Sequence, residues 1–321
     1  MKKLSFLIIA ATMVAAIGYS NTVDGIITMT TSAERAGFQL KGSGTAIIDW
    51  GDGSEKQTAE LELIDEYGWT QRISHTYSDT IPRTITITGE NITGLNCADN
   101  MCVIFLGGRN PSCNQFTELD VSRNTVLTHL NCTGNQLTEL NVSKNIALTY
   151  LSCRDNQLAE LDVSKNTALT SLVCNENQLT ALDVSKNHAL TLLHFRRNQL
   201  TALDVSRNTA LERLHCGDNQ LTTLDVSQNP ALIEFGFDNN QLTALDVSQN
   251  PALGILYCNG NQLTADALNF LFGTLHDNII TFVSESEGEQ IARKIIIISN
   301  NPGYTVCDQS ILDAKGWKTS W

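Results

Sequence analysis

Residues 127–147 read LTHLNCTGNQLTELNVSKNIA, and that unit is written seven times in phase. The units that follow open with LTYLSCRDNQL, LTSLVCNENQL, LTLLHFRRNQL, LERLHCGDNQL, LIEFGFDNNQL and LGILYCNGNQL. The Asn of each NQL falls at Asn135, Asn156, Asn177, Asn198, Asn219, Asn240 and Asn261, a spacing of 21 residues without an insertion. A fixed period of this length specifies a solenoid, because one unit is too small to bury its own apolar face and must stack on its neighbours.

Within a unit, alternation of period two sends Leu130 and Cys132 inward while His129, Asn131 and Thr133 point out. This predicts a short parallel strand whose outward row is a concave surface. Leu137, Leu140 and Val142 bring the chain back along the convex side into the same core. Two polar columns recur as faithfully. The Asn135 column predicts an asparagine ladder, since a buried amide can satisfy the backbone of its own turn and the next. Asn145, Asn166, Asn187, Asn208, Asn229 and Asn250 form a second column on the convex side, and the Asp-Val-Ser runs read as turn chemistry.

The chain has nine cysteines, five of which (Cys132, Cys153, Cys174, Cys216 and Cys258) share one column. Phe195 and Phe237 fill its other two places. Phenylalanine could not replace a bridging or metal-binding cysteine twice, whereas it can replace a small buried hydrophobe. The column therefore predicts a stack of reduced thiols about 4.8 Å apart along the sheet. Cys102 and Cys113 lie in an irregular stretch that a disulfide could pin.

The flanks differ in texture. Lys2 and Lys3 precede an apolar run over 4–17, too short to span a bilayer, so 1–20 reads as a secretory signal peptide. Residues 21–90 are rich in Thr, Ile and Gly and alternate over 25–30, 46–50, 72–77 and 84–88, which predicts a small antiparallel β-sandwich. Asp49 and Asp52 sit beside glycines and read as turn residues rather than calcium ligands. Residues 91–126 are irregular leading repeats in which 92–100 already has the strand pattern, with Cys97 in the core position. After the solenoid of 127–263, residues 264–321 read as a C-terminal cap. There Thr264 starts a helix with Leu268, Leu271 and Phe272 on one face, 295–298 forms a last buried strand, and 308–315 forms a short helix. The expected fold is thus an α/β-type repeat solenoid, preceded by a sandwich and closed by a short α/β cap.

The pattern L-x-x-L-x-C-x-x-N-x-L, with LDVSxN at its end, resembles the cysteine-bearing, internalin-like leucine-rich repeat proteins of bacterial surfaces over 92–263. IDWGDGS (48–54), SHTYSD (74–79) and TITITG (84–89) resemble the polycystic-kidney-disease-type immunoglobulin-like domain of bacterial exoproteins. These resemblances imply a non-enzymatic binding protein, secreted or on the bacterial cell surface, that holds a ligand with its concave face. The sandwich in place of a helical cap, the lack of a wall-anchor motif and the two phenylalanines depart from the first family.

A formal charge of −13 excludes general nucleic-acid binding, which needs a basic footprint. No further stretch is long and apolar enough to cross a membrane. The constant columns hold the stack together, so the outward row carries the information for binding. In that row His194, Arg196, Arg197, Arg213 and His215 stand out as a basic cluster, with Tyr150 and Tyr257 towards the ends. Arg and Tyr are common anchors, so these seven residues form the candidate ligand site, suited to an acidic protein or glycan. The plainer alternative is an architectural secreted protein whose outward row is solvated variation; a glycan-binding or enzyme-associated accessory role ranks lower. His194, His215 and Glu234 could be imagined around zinc, but the flanking arginines oppose a cation. No nucleophile, base and orienting acid fall outside the repeat logic, so no catalytic site and no cofactor are expected.

Overall fold

A computed structural model describes residues 25–61, 69–98, 114–278, 281–284, 288–291 and 294–319. The expected signal peptide at 1–20 and the Cys102 and Cys113 pair lie outside the described residues.

The N-terminal part holds β1 (Ile26–Thr31), β2 (Arg35–Ser43), β3 (Thr45–Asp49), β4 (Gln57–Glu60), β5 (Ile73–Thr76), β6 (Arg83–Thr88) and β7 (Asn91–Asn96). Strand β8 (Glu118–Asp120) follows from the leading repeats. One sheet runs β4-β3-β6-β1-β8. The other begins β5-β2-β7 and does not stop there, because β7 pairs antiparallel with β2 on one side and parallel with β9 (His129–Asn131) on the other. The expected boundary at residue 90 therefore falls just before a strand that belongs to both parts. With β8 also paired to β1, the sandwich grips the first turn on two sides and covers its core.

From β9 the sheet adds one three-residue strand per unit: β10 (Tyr150–Ser152), β11 (Ser171–Val173), β12 (Leu192–His194), β13 (Arg213–His215), β14 (Glu234–Gly236) and β15 (Ile255–Tyr257). Each pairs in parallel with the next and without a register slip, for example Leu151 with Leu172 and Leu172 with Leu193. Helix α1 (Ala265–Thr274) follows, capped by the Thr264 hydroxyl accepting from the Ala267 N–H at 3.3 Å, with Leu268, Leu271 and Phe272 buried. A hairpin of β16 (Thr281–Ser284) and β17 (Gly288–Ile291) leads to β18 (Lys294–Ile297), then α2 (Ser310–Ala314) and β19 (Trp317–Thr319). Strands β18 and β19 extend the same sheet, which reaches twelve strands, and Trp317 is fully buried at its end. Within β18 only alternate residues face the core: Ile296 is buried, whereas Ile295 and Ile297 join the outward row. The expectation of a wholly buried 295–298 strand is corrected by the same period of two that governs the repeats.

The expected columns are in place. Leu127, Leu130, Cys132, Leu137, Leu140 and Val142 are all buried, as are their counterparts, except that Leu203 and Leu224 are partly so. Asn156 shows how the ladder works. Its Nδ2 donates to the carbonyls of Cys132 and Cys153, each at 3.0 Å, and its Oδ1 accepts from the Leu137 N–H at 3.0 Å, so it bolts its own turn to the previous one. The ladder runs past the repeats at both ends. Asn114 donates to the Cys97 carbonyl and accepts from Gly37 of β2, while Asn301 in the cap donates to Cys258 and Ile298 and accepts from Leu263.

Each of the seven described cysteines carries a free thiol, and the six in the core column are fully buried. Burial pushes the Cys97 and Cys153 thiols up to about 12 and that of Cys132 well above its ordinary value, so they stay protonated and unreactive. Before each ladder asparagine the backbone turns left-handed: Gly134, Asp155, Glu176, Arg197, Asp218, Asn239 and Gly260 all have φ between 53° and 76°. Only the two glycines adopt this without steric cost. The other five swing their side chains to the rim of the concave face.

Candidate functional site

The outward row falls into three zones along one continuous sheet. At the N-terminal end stand His129 and Tyr150, with ring centroids 6.2 Å apart and planes 21° from parallel. The centre is charged. The C-terminal end is apolar, with Ile255, Tyr257, Ile295 and Ile297 partly exposed on neighbouring strands.

Six of the seven expected site residues come together in the centre. His194 and His215 face each other with centroids 4.4 Å apart, and the Tyr257 ring lies 5.9 Å from His215. Arg196, Arg197 and Arg213 surround them. Tyr150 is not part of this group, because β10 is two strands, about 10 Å, from β12.

The expected basic patch is electrically balanced. Arg196 Nη2 lies 2.5 Å from Asp238 Oδ2 and 3.3 Å from Asp218 Oδ2. Arg197 reaches Glu176 at 3.5 Å and Asp218 at 3.8 Å, and Arg154 reaches Glu176 at 2.7 Å. Arg213 lies 3.7 Å from Glu234, whose other oxygen is 3.0 Å from His215 Nε2. Four arginines thus meet four carboxylates. Sequence spacing hid this because Asp218 and Glu176 come from the left-handed loop column and Asp238 folds inward over Gly217. A Cβ on Gly217 would stand 2.5 Å from Asp238 Oδ1, so only glycine lets this carboxylate lie flat. Gly236 lies between the neighbouring rings, where a Cβ would stand 3.5 Å from both His215 Nδ1 and Tyr257 Cδ2, in ordinary contact.

This centre is partly dry, and its titrations show it. His194 is held down to about 4 by burial first, then by His215, Arg213 and Arg196, so it is neutral near pH 7. Burial also lowers His215, against the pull of Glu234, and raises Asp238, against the pull of Arg196. Asp238 has only 6% of its side chain exposed, and its Oδ1 makes no hydrogen bond; the buried Nε2 of His194 makes none either. Among the described residues no group of three or more His, Cys, Asp or Glu side chains is arranged to hold a metal ion. In the sandwich, Asp49 and Asp52 accept from the backbone N–H groups of Gly51 and Ser54, and Asp52 also meets His75 Nε2 at 2.7 Å. Among the described residues no helix is long and apolar enough to cross a membrane.

No family model and no curated protein matches the sequence. Solved structures do match. The functional domain of InlJ from Listeria monocytogenes, which includes a cysteine ladder, is 32% identical, with a TM-score of 0.51 over 67% of this chain and 51% of that one. A leucine-rich repeat protein of Leptospira interrogans is 23% identical, with a TM-score of 0.51 over 65% of this chain and 61% of that one. Internalin C2 of Listeria monocytogenes is 21% identical, with a TM-score of 0.41 over 54% of this chain and 74% of that one. The chain thus spans about half the length of the InlJ domain. What the similarity establishes is the architecture: a leucine-rich repeat solenoid like those of internalin-like bacterial proteins, with the general form of a protein-interaction module.

Proposed function

We propose that this chain is a secreted or cell-surface bacterial protein that holds a protein ligand on the central and C-terminal zones of its concave face, in an adhesive rather than catalytic role. One observation carries the reading: the repeated apolar columns and both asparagine columns are buried in the stack, whereas the outward strand positions, which vary from unit to unit, line one face of the sheet. In the centre, Asp238 Oδ1 and His194 Nε2 are left without partners beside an exposed apolar strip. A ligand that lays an apolar anchor on Ile255, Tyr257 and Ile297 would cover the partly exposed strip and shield the buried polar centre beside it from water. Because the arginines are already paired, charge alternation rather than net positive charge selects the partner. That removes the electrostatic basis for preferring an acidic one.

The test is photo-crosslinking. The full chain would carry a photoreactive residue in place of Tyr257 on the concave face, or in place of His188 on the convex side, and would be exposed to intact candidate cells. The expected result is a discrete protein adduct from position 257 and none from 188, lost when Ile255 is changed to Glu. Equal adducts from both positions would remove the proposal. Fractionation of the producing cell should find the chain outside the cytoplasm.

A further inference from the structure

The two-row strip across β2, β7, β9 and β10 differs from the rest of the concave face. In the first row Lys41, Gly94, His129 and Tyr150 stand side by side, and in the second Gln39, Asn96, Asn131 and Ser152 do. Gly94 leaves a gap in the first row, and the sandwich fills it. A Cβ there would meet Trp69 Cη2 at 3.0 Å and Cζ3 at 3.2 Å, so the six-membered ring of a partly exposed indole lies on that glycine. The result is an aromatic row of Trp69, His129 and Tyr150, spaced about one strand apart. Beside it runs a row of three amides, Gln39, Asn96 and Asn131, which ends at Ser152, a buried hydroxyl already paired with that of Thr133 at 2.7 Å.

His129 has a defined polarity. The Thr128 hydroxyl donates its one hydrogen to the Thr93 carbonyl at 2.9 Å, so at the 2.8 Å contact with His129 Nδ1 it can only accept. Nδ1 therefore carries the proton and Nε2 is an acceptor. Burial and Lys41 lower the pKa of this imidazole, which keeps it neutral.

We propose that this strip, formed jointly by the sandwich and the first repeats, binds an uncharged oligosaccharide. Ring faces take the C–H faces of sugars, and amides that both donate and accept match sugar hydroxyls, which also do both. Charge decides between a sugar and a peptide. The eight outward positions of these two rows hold one formal charge, Lys41, whereas the central zone alternates four arginines with four carboxylates. A neutral, hydroxyl-rich ligand is the occupant that loses least on leaving water here. The site shares no residue with the central zone, so it stands or falls independently of the protein ligand proposed above.

The experiment titrates the full chain with cellohexaose, chitohexaose and mannohexaose, with glucose as control, followed by calorimetry and tryptophan emission. Trp50 and Trp317 are buried, so among the described tryptophans the emission change reports Trp69. At least one hexaose should bind and shift the emission. Trp69→Ala and Tyr150→Ala should each weaken it at least tenfold with unchanged thermal melts, Trp69→Phe should restore most of the affinity, and Arg213→Ala should leave it unaltered. No binding by any hexaose up to about 5 mM, or binding indifferent to both aromatic variants, overturns the site. So does protein capture by this strip in the absence of sugar binding.

Discussion

The two asparagine columns look equivalent in sequence and are not equivalent in bonding. Asn177, beneath the concave strands, uses both ends of its amide: Nδ2 donates to Cys153, Cys174 and Asn175, and Oδ1 accepts from Leu158. Asn187, on the convex side, donates to Val163 and Asn166, but its buried Oδ1 has no partner, and the same holds for the column from Asn145 to Asn250. Equal repetition therefore does not mean equal contribution. The concave column closes a circuit between turns, whereas the convex one donates only.

The sharpest way to break this comparison is to remove one rung from each. Asn177→Ala strands the buried Leu158 N–H, while the Cys153 and Cys174 carbonyls keep their bonds from Asn156 and Asn198, and it is expected to cost about 2–3 kcal/mol in urea unfolding. Asn187→Ala loses two donated bonds but also removes an unsatisfied carbonyl, so about 1–2 kcal/mol is expected. Equal costs would show that the convex carbonyls find donors that the hydrogen-bond geometry does not reveal.

The outward row sets a third level against these two. Gly217→Ala drives a methyl into Asp238 and should cost about 1–2 kcal/mol, most of it recovered when Asp238→Ala is added. A shift in pH probes the same centre. His194 binds its proton near pH 4 in the folded chain and near its ordinary 6.5 when unfolded, so the unfolded state holds more protons between those values. Stability should fall, by about 1 kcal/mol, as pH drops through that window and should gain nothing from this group below it. His194→Gln should flatten that slope in thermal melts. Arg213→Ala, which removes only a half-exposed pair 3.7 Å from Glu234, should change stability by less than about 0.5 kcal/mol.

Much of this was legible because a period of 21 aligns residues within a column. It placed Leu130, Cys132 and Asn135, and the Thr264 cap was readable from local chemistry alone. What the period cannot show is reach between columns and between repeats. Arg196 finds Asp238 across 42 positions of sequence, and the acids that neutralise the expected basic patch come from a loop column and from over Gly217. Trp69 was missed for the same reason: it enters the concave face from outside the repeats, and its only local signal is a glycine in a strand, Gly94. The ladder's outlying rung Asn301 follows Asn261 by 40 residues rather than 21, so the period does not point to it.

Strand β7 has one further consequence, for the order in which the chain assembles. During synthesis the sandwich emerges first, and its last strand offers a free parallel edge of correct register, with Leu95 and Cys97 already in the core positions of a repeat. The costly first turn is then seeded by a finished template, and each later turn copies the one before it. Hydrogen exchange during refolding should therefore show protection spreading from residue 95 towards 257, a direction of growth that the near-identical repeats could not set by themselves.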